Sequence, residues 1–331
     1  MTHAWAVVGG IAADRWLGEP PTTLHPVAWF GRAMGRVEQR LWRDSRAAGV
    51  AHAAVGVGGA WLAGVVLRRL VGRGPATFVA TAVCVAGRML DREALAVGDL
   101  LAAGDRVAGR QRLRSLVGRD ASALDDAGIT RAVVESVAEN TTDAVIAPAV
   151  WAAVAGAPGV LAHRAVNTLD AMVGHRSERY ARFGWASARL DDVTNAVPAA
   201  LAVALVVARH PDRWRPIGRA VLVDARRHPS PNAGAIEGAF AGALGIRLGG
   251  TNRYGDAVQD RGRLGDGPPP EAADIGRAVQ LRRALAVGVA LVIVGVDAQR
   301  GRRRRSRRRS QLRPVSSSQL TASARRSVVA T

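Results

Sequence analysis

Hydrophobic residues in this chain come in long uncharged runs rather than in alternation, and the runs set the expected architecture. Residues 144–162 carry no ionisable side chain over nineteen positions, close to the roughly 20 residues a helix needs to cross about 30 Å of hydrocarbon. Shorter low-charge runs occupy 50–67, 76–87, 193–208 and 284–296, with another at 4–13. Their recurrence predicts an all-α, polytopic integral membrane protein with about four to five embedded helices. Residues 88–130 mix Arg and Asp with Leu and Val, and read as cytoplasmic amphipathic helices. No stretch shows the strict alternation of a strand, and no internal repeat is visible.

Between the runs lie segments read as loops. Residues 14–32, DRWLGEPPTTLHPVAWFGR, contain Pro20, Pro21 and Pro26, which disfavour regular helix. Residues 230–255 form a second Gly-rich polar segment, and 261–277 read as a linker to the last apolar run. The first apolar run is interrupted early by Asp14 and Arg15, so it reads as retained rather than cleaved.

Polar residues crowd both flanks of 144–162, which raises a geometric problem. A helix crossing cleanly would place 135–143 and 163–195 on opposite faces of the bilayer. Pro148 and Gly156-Ala157-Pro158-Gly159 interrupt the segment, so a re-entrant or broken hairpin returning both flanks to one side is expected.

Three groups of polar residues are candidates for chemistry. Glu135, Glu139 and Asp143 recur every four residues, stacking three carboxylates along one helical stripe. Like charges so placed repel by roughly 0.2–0.5 kcal/mol per pair, which suits a cation among them, Mg²⁺ being the natural choice. A solvated acidic face is the alternative. In NTLDAMVGHRSERY, Asn167 and Asp170 share a face, and Gly174 ends the helix before His175, Arg176 and Arg179. In RLDDVTN, Asp191 or Asp192 lies one turn from Asn195, with Arg189 just upstream. Carboxylate plus amide suits a hydrated divalent ion and Arg suits phosphate, although each group taken singly is also an ordinary helix cap. Asn232, Gly234 and Glu237 fit either an anion-binding loop or a turn before a helix.

Composition removes several alternatives. All 46 basic residues are Arg, so Schiff-base chemistry and a P-loop lysine are excluded. The single Cys84 sits in an apolar run and reads as a small packed hydrophobe. No GxSxG motif occurs, and no His has a second His or Cys at zinc-ligand spacing. Eleven of the +19 net charges lie after residue 297, which leaves +8 on residues 1–297. Residues 298–331 therefore read as a disordered Arg-rich tail touching anionic lipid, separate from a membrane-embedded domain at 1–297. Without interleaved aromatics or a binding fold, the tail does not read as a nucleic-acid partner.

The segments DRWLGEPP…HPVAWFGR, ESVAENTTDAVIAP, RAVNTLDAMVGHRSERYARFGWASARLDDVTNAVP and SPNAGAIEGAFAGALGIRLGG…Y occur in that order. Over residues 5–297 they resemble the adenosylcobinamide-phosphate synthases, a membrane family of cobalamin biosynthesis. The resemblance implies a multi-pass ligase of the cell membrane with its site facing the cytoplasm, and the positive-inside bias puts the C-terminal tail, which lies outside the resemblance, on the same side. It would join adenosylcobyric acid to aminopropanol or aminopropanol phosphate through an ATP-dependent amide bond. ATP and Mg²⁺ are then expected, with Glu135, Glu139, Asp143 and Asp192 holding the metal. Asp170, His175 and Asp191 are the catalytic candidates. Arg176, Arg179, Arg189, Asn167, Asn195 and Asn232 would contact nucleotide or substrate anions. DDVTN also admits a Mg²⁺-dependent prenyl or diphosphate transferase. A non-catalytic scaffold for other corrinoid-pathway enzymes is the remaining reading.

Overall fold

The computed structural model describes residues 3–19, 23–118, 120–175, 177–254 and 257–311. Helix α1 (His3–Leu17) carries the first apolar run, and α2 (Pro26–Leu41) follows after a short loop. The loop expected across 14–32 is thus confined to its middle. Pro26 opens α2 rather than breaking it, because the first helical position needs no N–H. His25 caps this helix, its Nδ1 accepting the Val27 N–H at 3.2 Å.

Helices α3 (Arg46–Val71) and α4 (Arg73–Cys84) form the expected apolar hairpin, turning at Gly72. Helix α3 runs along α8 (Ala147–Leu169), and α4 packs between α1 and α8. The contact with α8 is close: a Cβ on Gly64 would lie 2.5 Å from Pro158 Cα. Cys84 is fully buried, as its apolar setting implies.

The amphipathic region becomes α5 (Gly87–Ala102) and α6 (Arg106–Leu113). Asp14 of α1 caps α5 from a distance, its Oδ2 accepting the N–H groups of Gly87 (3.1 Å) and Arg88 (3.2 Å). Asp91 of α5 is buried between Arg282 (2.6 Å) and Arg283 (2.7 Å) of the last helix, α12 (Ala272–Gln311). A buried carboxylate of this kind needs such partners, and together they lock α5 to α12.

The centre of the chain is α7 (Asp126–Thr141), a widened turn at Thr142–Ile146, and α8, followed by a second widened turn at Asp170–Gly174. Within α8, Gly156 adopts φ 68°, ψ −152°, a conformation open essentially only to glycine. The helix folds back there. The rings of Trp151 and His163 lie 6.4 Å apart and nearly parallel, where a straight helix would separate the two residues by about 18 Å. This is the broken hairpin expected from the Pro and Gly residues. It packs against α9 (Trp185–Arg209), and Trp151 Nε1 donates to the Thr194 carbonyl at 3.1 Å.

Beyond α9 come α10 (Trp214–Leu222) and α11 (Pro231–Leu244). The segment 230–255 was expected as a loop, yet α11 is a helix buried on almost every side, capped by Ser230 Oγ accepting the Ala233 N–H at 3.3 Å. Its Ala and Gly residues let neighbouring backbones approach closely. Strands β1 (Leu248–Tyr254) and β2 (Ala257–Leu264) then form an antiparallel hairpin, Leu248 opposite Leu264, with an irregularity between Gly249 and Thr251. Sequence pattern gave no strand here. The hairpin is fastened by side chains of α7, which local alternation does not register.

Among the described residues, four stretches are long and apolar enough to cross a membrane: Arg46–Val71, Asp126–Gly174, Trp185–Arg209 and Ala272–Arg303. The protein is thus an all-α polytopic membrane protein with one folded-back element and a small appended hairpin. Helix α12 continues to Gln311, so the first part of the Arg-rich tail is helical where its composition suggested disorder. Residues 312–331 lie outside the described residues.

Candidate functional site

The fold-back brings both ends of the central segment to one place. Asn167 Nδ2 donates to Asp143 Oδ2 at 3.3 Å, and Asn167 Oδ1 accepts from Arg164 Nη1 at 3.3 Å. From α9, Asp191 Oδ2 accepts from Asn195 Nδ2 at 3.0 Å. The Asn195 carbonyl oxygen in turn lies 2.9 Å from His163 Nε2, which completes a buried relay from His163 through Asn195 to Asp191. Asp143 lies within electrostatic reach of Asp191, Glu139, Asp170 and Arg164, and Asp192 neighbours both Asp170 and Asp191. Glu139, Asp143, Asn167, Asp170, Asp191, Asp192 and Asn195 therefore converge, as their flanking positions suggested.

Local structure explains the aim of two of these carboxylates. Asp143 and Asp170 each fall in one of the widened turns that flank α8. Such turns are rare and recur at functional sites, because the extra residue rotates the following side chains around the axis. Asp170 Oδ1 lies over Gly174, where an added Cβ would approach to 1.9 Å, so only glycine fits beneath it.

Four further residues border the centre and were not singled out from sequence. Arg164 holds Asn167 and sits near Glu19 and His25 of the loop before α2. Glu19 Oε2 and His25 Nε2 are 3.6 Å apart. Burial raises the Glu19 carboxyl above its ordinary range, with Arg164 opposing, while burial and Arg164 together hold His25 below its own. His163 is the fourth, through its relay. The signal for Arg164 was its place one turn before Asn167, obscured in a chain where every basic residue is Arg.

Of the other expected site residues, Asn232 and Arg189 border the centre through Asp192, and the rest do not join it. Glu135 accepts the Gly249 N–H at 2.8 Å and lies 3.9 Å from Arg131, so it fastens the β-hairpin and is not part of the carboxylate centre. Asn232 donates to the Asp192 carbonyl at 2.8 Å and ties α11 to α9. Arg189 pairs with Asp192 at 3.3 Å on the surface. Arg179 pairs with Glu38 of α2 at 3.1 Å and covers the Trp42 ring at 4.6 Å, away from the centre. His175 is exposed, edge-on to Tyr180 at 5.0 Å. Arg176 lies outside the described residues. Gly234 and Glu237 belong to α11 rather than to a loop, and Glu237 is buried with His228 (3.7 Å) and Arg261 (3.5 Å).

The carboxylates do not form a closed metal cage. Among the described residues, no group of three or more His, Cys, Asp or Glu side chains is arranged to hold a metal ion. Mg²⁺ does not require one, since it is ordinarily held by one or two carboxylates together with water and substrate phosphate. Asp191 fits that role, because its Oδ1 is buried without a hydrogen-bond partner.

The fold and this centre define a multi-pass helical membrane protein with a carboxylate and amide site between a re-entrant hairpin and α9. The family model described as CobD/Cbib protein matches residues 7–282. The chain is 49% identical over 300 residues to a cobalamin biosynthesis protein CobD of Mycobacterium tuberculosis, covering 89% of this chain and 96% of that protein. A protein of the same name from Rhodobacter capsulatus is 40% identical over 307 residues, covering 88% and 97% respectively. Another from Chromobacterium violaceum is 41% identical over 322 residues, covering 90% of this chain and 100% of that one. The chain belongs to the CobD/Cbib family. No solved structure matches it.

Proposed function

We propose that this protein acts in cobalamin biosynthesis as an ATP-dependent ligase. It joins a carboxylate of adenosylcobyric acid to the amine of aminopropanol or aminopropanol phosphate. The observation that carries this reading is the convergence of Asp143, Asp170 and Asp191 with Asn167, Asn195 and Arg164 at the mouth of a water-poor hairpin. The names of the relatives support the pathway, and the grouping of carboxylates, amides and a guanidinium supports the chemistry.

Forming an amide from a carboxylate requires activation by phosphoryl transfer and then attack by an amine. Asp143 and Asp191 would hold Mg²⁺, which when bound neutralises nucleotide phosphate charge. Arg164 supplies a fixed cation beside the transferring group, where exclusion of water strengthens it. Asn167 and Asn195 orient the two metal-holding carboxylates through hydrogen bonds of 3.3 and 3.0 Å. Asp170 is placed to take the proton from the attacking amine, and the embedded hairpin limits hydrolysis of an activated carboxyl. The site faces the cytoplasm, where nucleotide is available.

The test is an assay on detergent-purified full-length protein with adenosylcobyric acid, ATP, Mg²⁺ and either amine, followed by mass spectrometry. The expected product is the corrinoid heavier by one amine less one water. Unaltered corrinoid from folded protein, with conversion restored only by membrane extract, would overturn the reading in favour of a scaffold.

A further inference from the structure

A second constellation lies beside the β-hairpin, at the other end of α7. A cavity of about 610 Å³ opens there between the start of α7, the first residues of β1 and the 269–270 loop. Three guanidinium groups line it, from Arg131, Arg247 and Arg263. The lining contains one acid, Asp125, whose Oδ1 is engaged in capping the Gly128 N–H at 2.8 Å. The wall is therefore strongly cationic.

The three arginines differ in how they are held. Arg131 is fixed by the carbonyl of Gly249, by the Thr251 carbonyl and Asn252 Oδ1 at 3.4 Å each, and by Glu135. Arg263 spends its Nε on the Gly265 carbonyl at 3.2 Å, and among the described residues its terminal nitrogens make no hydrogen bond. Arg247 is half-buried, and among the described residues its guanidinium has neither a hydrogen bond nor an ion pair. Guanidinium groups placed in this way suit phosphate, which they bind in bidentate fashion.

Size and lining narrow the ligand further. A lone phosphate ion does not need such a volume, which falls in the range of about 300–1,000 Å³ typical of sites for larger small molecules. Leu124, Leu248, Pro269 and Pro270 give the cavity an apolar wall suited to a flat ring. Arg131 precedes Asp143 by twelve residues, about 18 Å of helix rise, so an anion here does not touch the carboxylate centre.

We propose that this cavity binds a phosphate-bearing small molecule at a site separate from the carboxylate centre, with Arg247 and Arg263 as its ligands and Arg131 as a fixed positive wall. A phosphate site follows from the cavity alone.

The test is equilibrium binding of radiolabelled inorganic triphosphate to detergent-purified full-length protein without Mg²⁺ or corrinoid, with competition by ATP and by aminopropanol phosphate to separate the two sources of the phosphate. Triphosphate binds saturably, and Arg247→Ala weakens it by at least about tenfold, as expected for loss of a charged hydrogen-bonding partner. Arg263 is exposed, so Arg263→Ala tests the site without threatening the fold. Asp191→Asn leaves this binding unchanged, which separates failure of the cavity from failure of the catalytic assignment. Triphosphate affinity within twofold of wild type in both arginine variants would overturn the proposal. Competition by neither ATP nor aminopropanol phosphate would overturn a phosphate-bearing small molecule as the ligand.

Discussion

Asn167 donates a hydrogen bond of 3.3 Å to Asp143, twenty-four residues earlier, and this bond closes the mouth of the helical hairpin. In an unbroken helix the same two residues would be about 36 Å apart. The site therefore depends on the reversal at Gly156. In Gly156→Ala the new Cβ meets Thr77 Oγ1 at 3.1 Å and His3 Cε1 at 3.2 Å, in a backbone region that costs a non-glycine residue about 1–3 kcal/mol. Lower thermal stability in detergent is expected, with turnover falling alongside it. A variant that melts and turns over as wild type would show that the reversal is not strained.

Glu135 and Glu139 are one helical turn apart and are expected to fail differently. Glu135→Ala leaves the Gly249 N–H without its acceptor in a buried position, a loss of about 1–3 kcal/mol, and should loosen the β-hairpin to proteolysis. Glu139→Gln should keep the melting temperature and lower turnover, because Glu139 neighbours the carboxylate centre. Limited proteolysis and activity measured on the same preparations distinguish the two, and identical profiles would contradict the division.

Arg164 joins the N-terminal loop to the centre through Glu19 and Asn167. Arg164→Lys retains the charge but loses the planar fork, and Arg164→Ala loses both. Turnover is expected to fall about tenfold or more in the lysine variant and further in the alanine variant. Steady-state kinetics check the ranking, and equal activity of the two variants would mean that the guanidinium geometry plays no part.

Asp14 gives a pH signature outside the embedded segments. Burial raises its carboxyl from 3.8 to about 6, although the N–H groups of Gly87 and Arg88 and the charge of Arg282 oppose the shift. The folded state thus holds this proton more tightly than the unfolded chain. Its contribution to stability is full below about pH 4, falls as pH rises towards about 6, and is flat above, for a total of at most about 3 kcal/mol. Asp14→Asn keeps an acceptor for both N–H groups and should remove that slope from thermal melts. A slope retained in the variant would assign it to other groups.

The sequence was most informative where chemistry and covalent geometry coincide. Pro148, Gly156 and Pro158 announced a broken segment, and the spacing of Asp143, Asn167, Asp191 and Asn195 on its flanks announced the centre. It misled where tertiary partners decide. Glu135 shares a helical stripe with Glu139 and Asp143, yet its carboxylate is taken by the Gly249 N–H, a partner 114 residues away. Helix α11 looked like a loop because its Ala and Gly residues have little character outside a close-packed interior. The β-hairpin has too many glycines and arginines to show alternation, and Arg131 secures it from outside. Arg179 looked like a phosphate ligand and is instead bound to Glu38 and Trp42.

The most direct test of the central claim is the single-turnover rate of amide formation by purified Asp191→Asn protein, with its melting temperature confirming the fold. The Asn195 hydrogen bond has an acceptor in either residue, whereas the buried Oδ1 loses its charge. The account predicts a fall of at least about a hundredfold, as for removal of a charge acting on the transition state. A rate within twofold of wild type would contradict the placement of the reaction between the hairpin and α9.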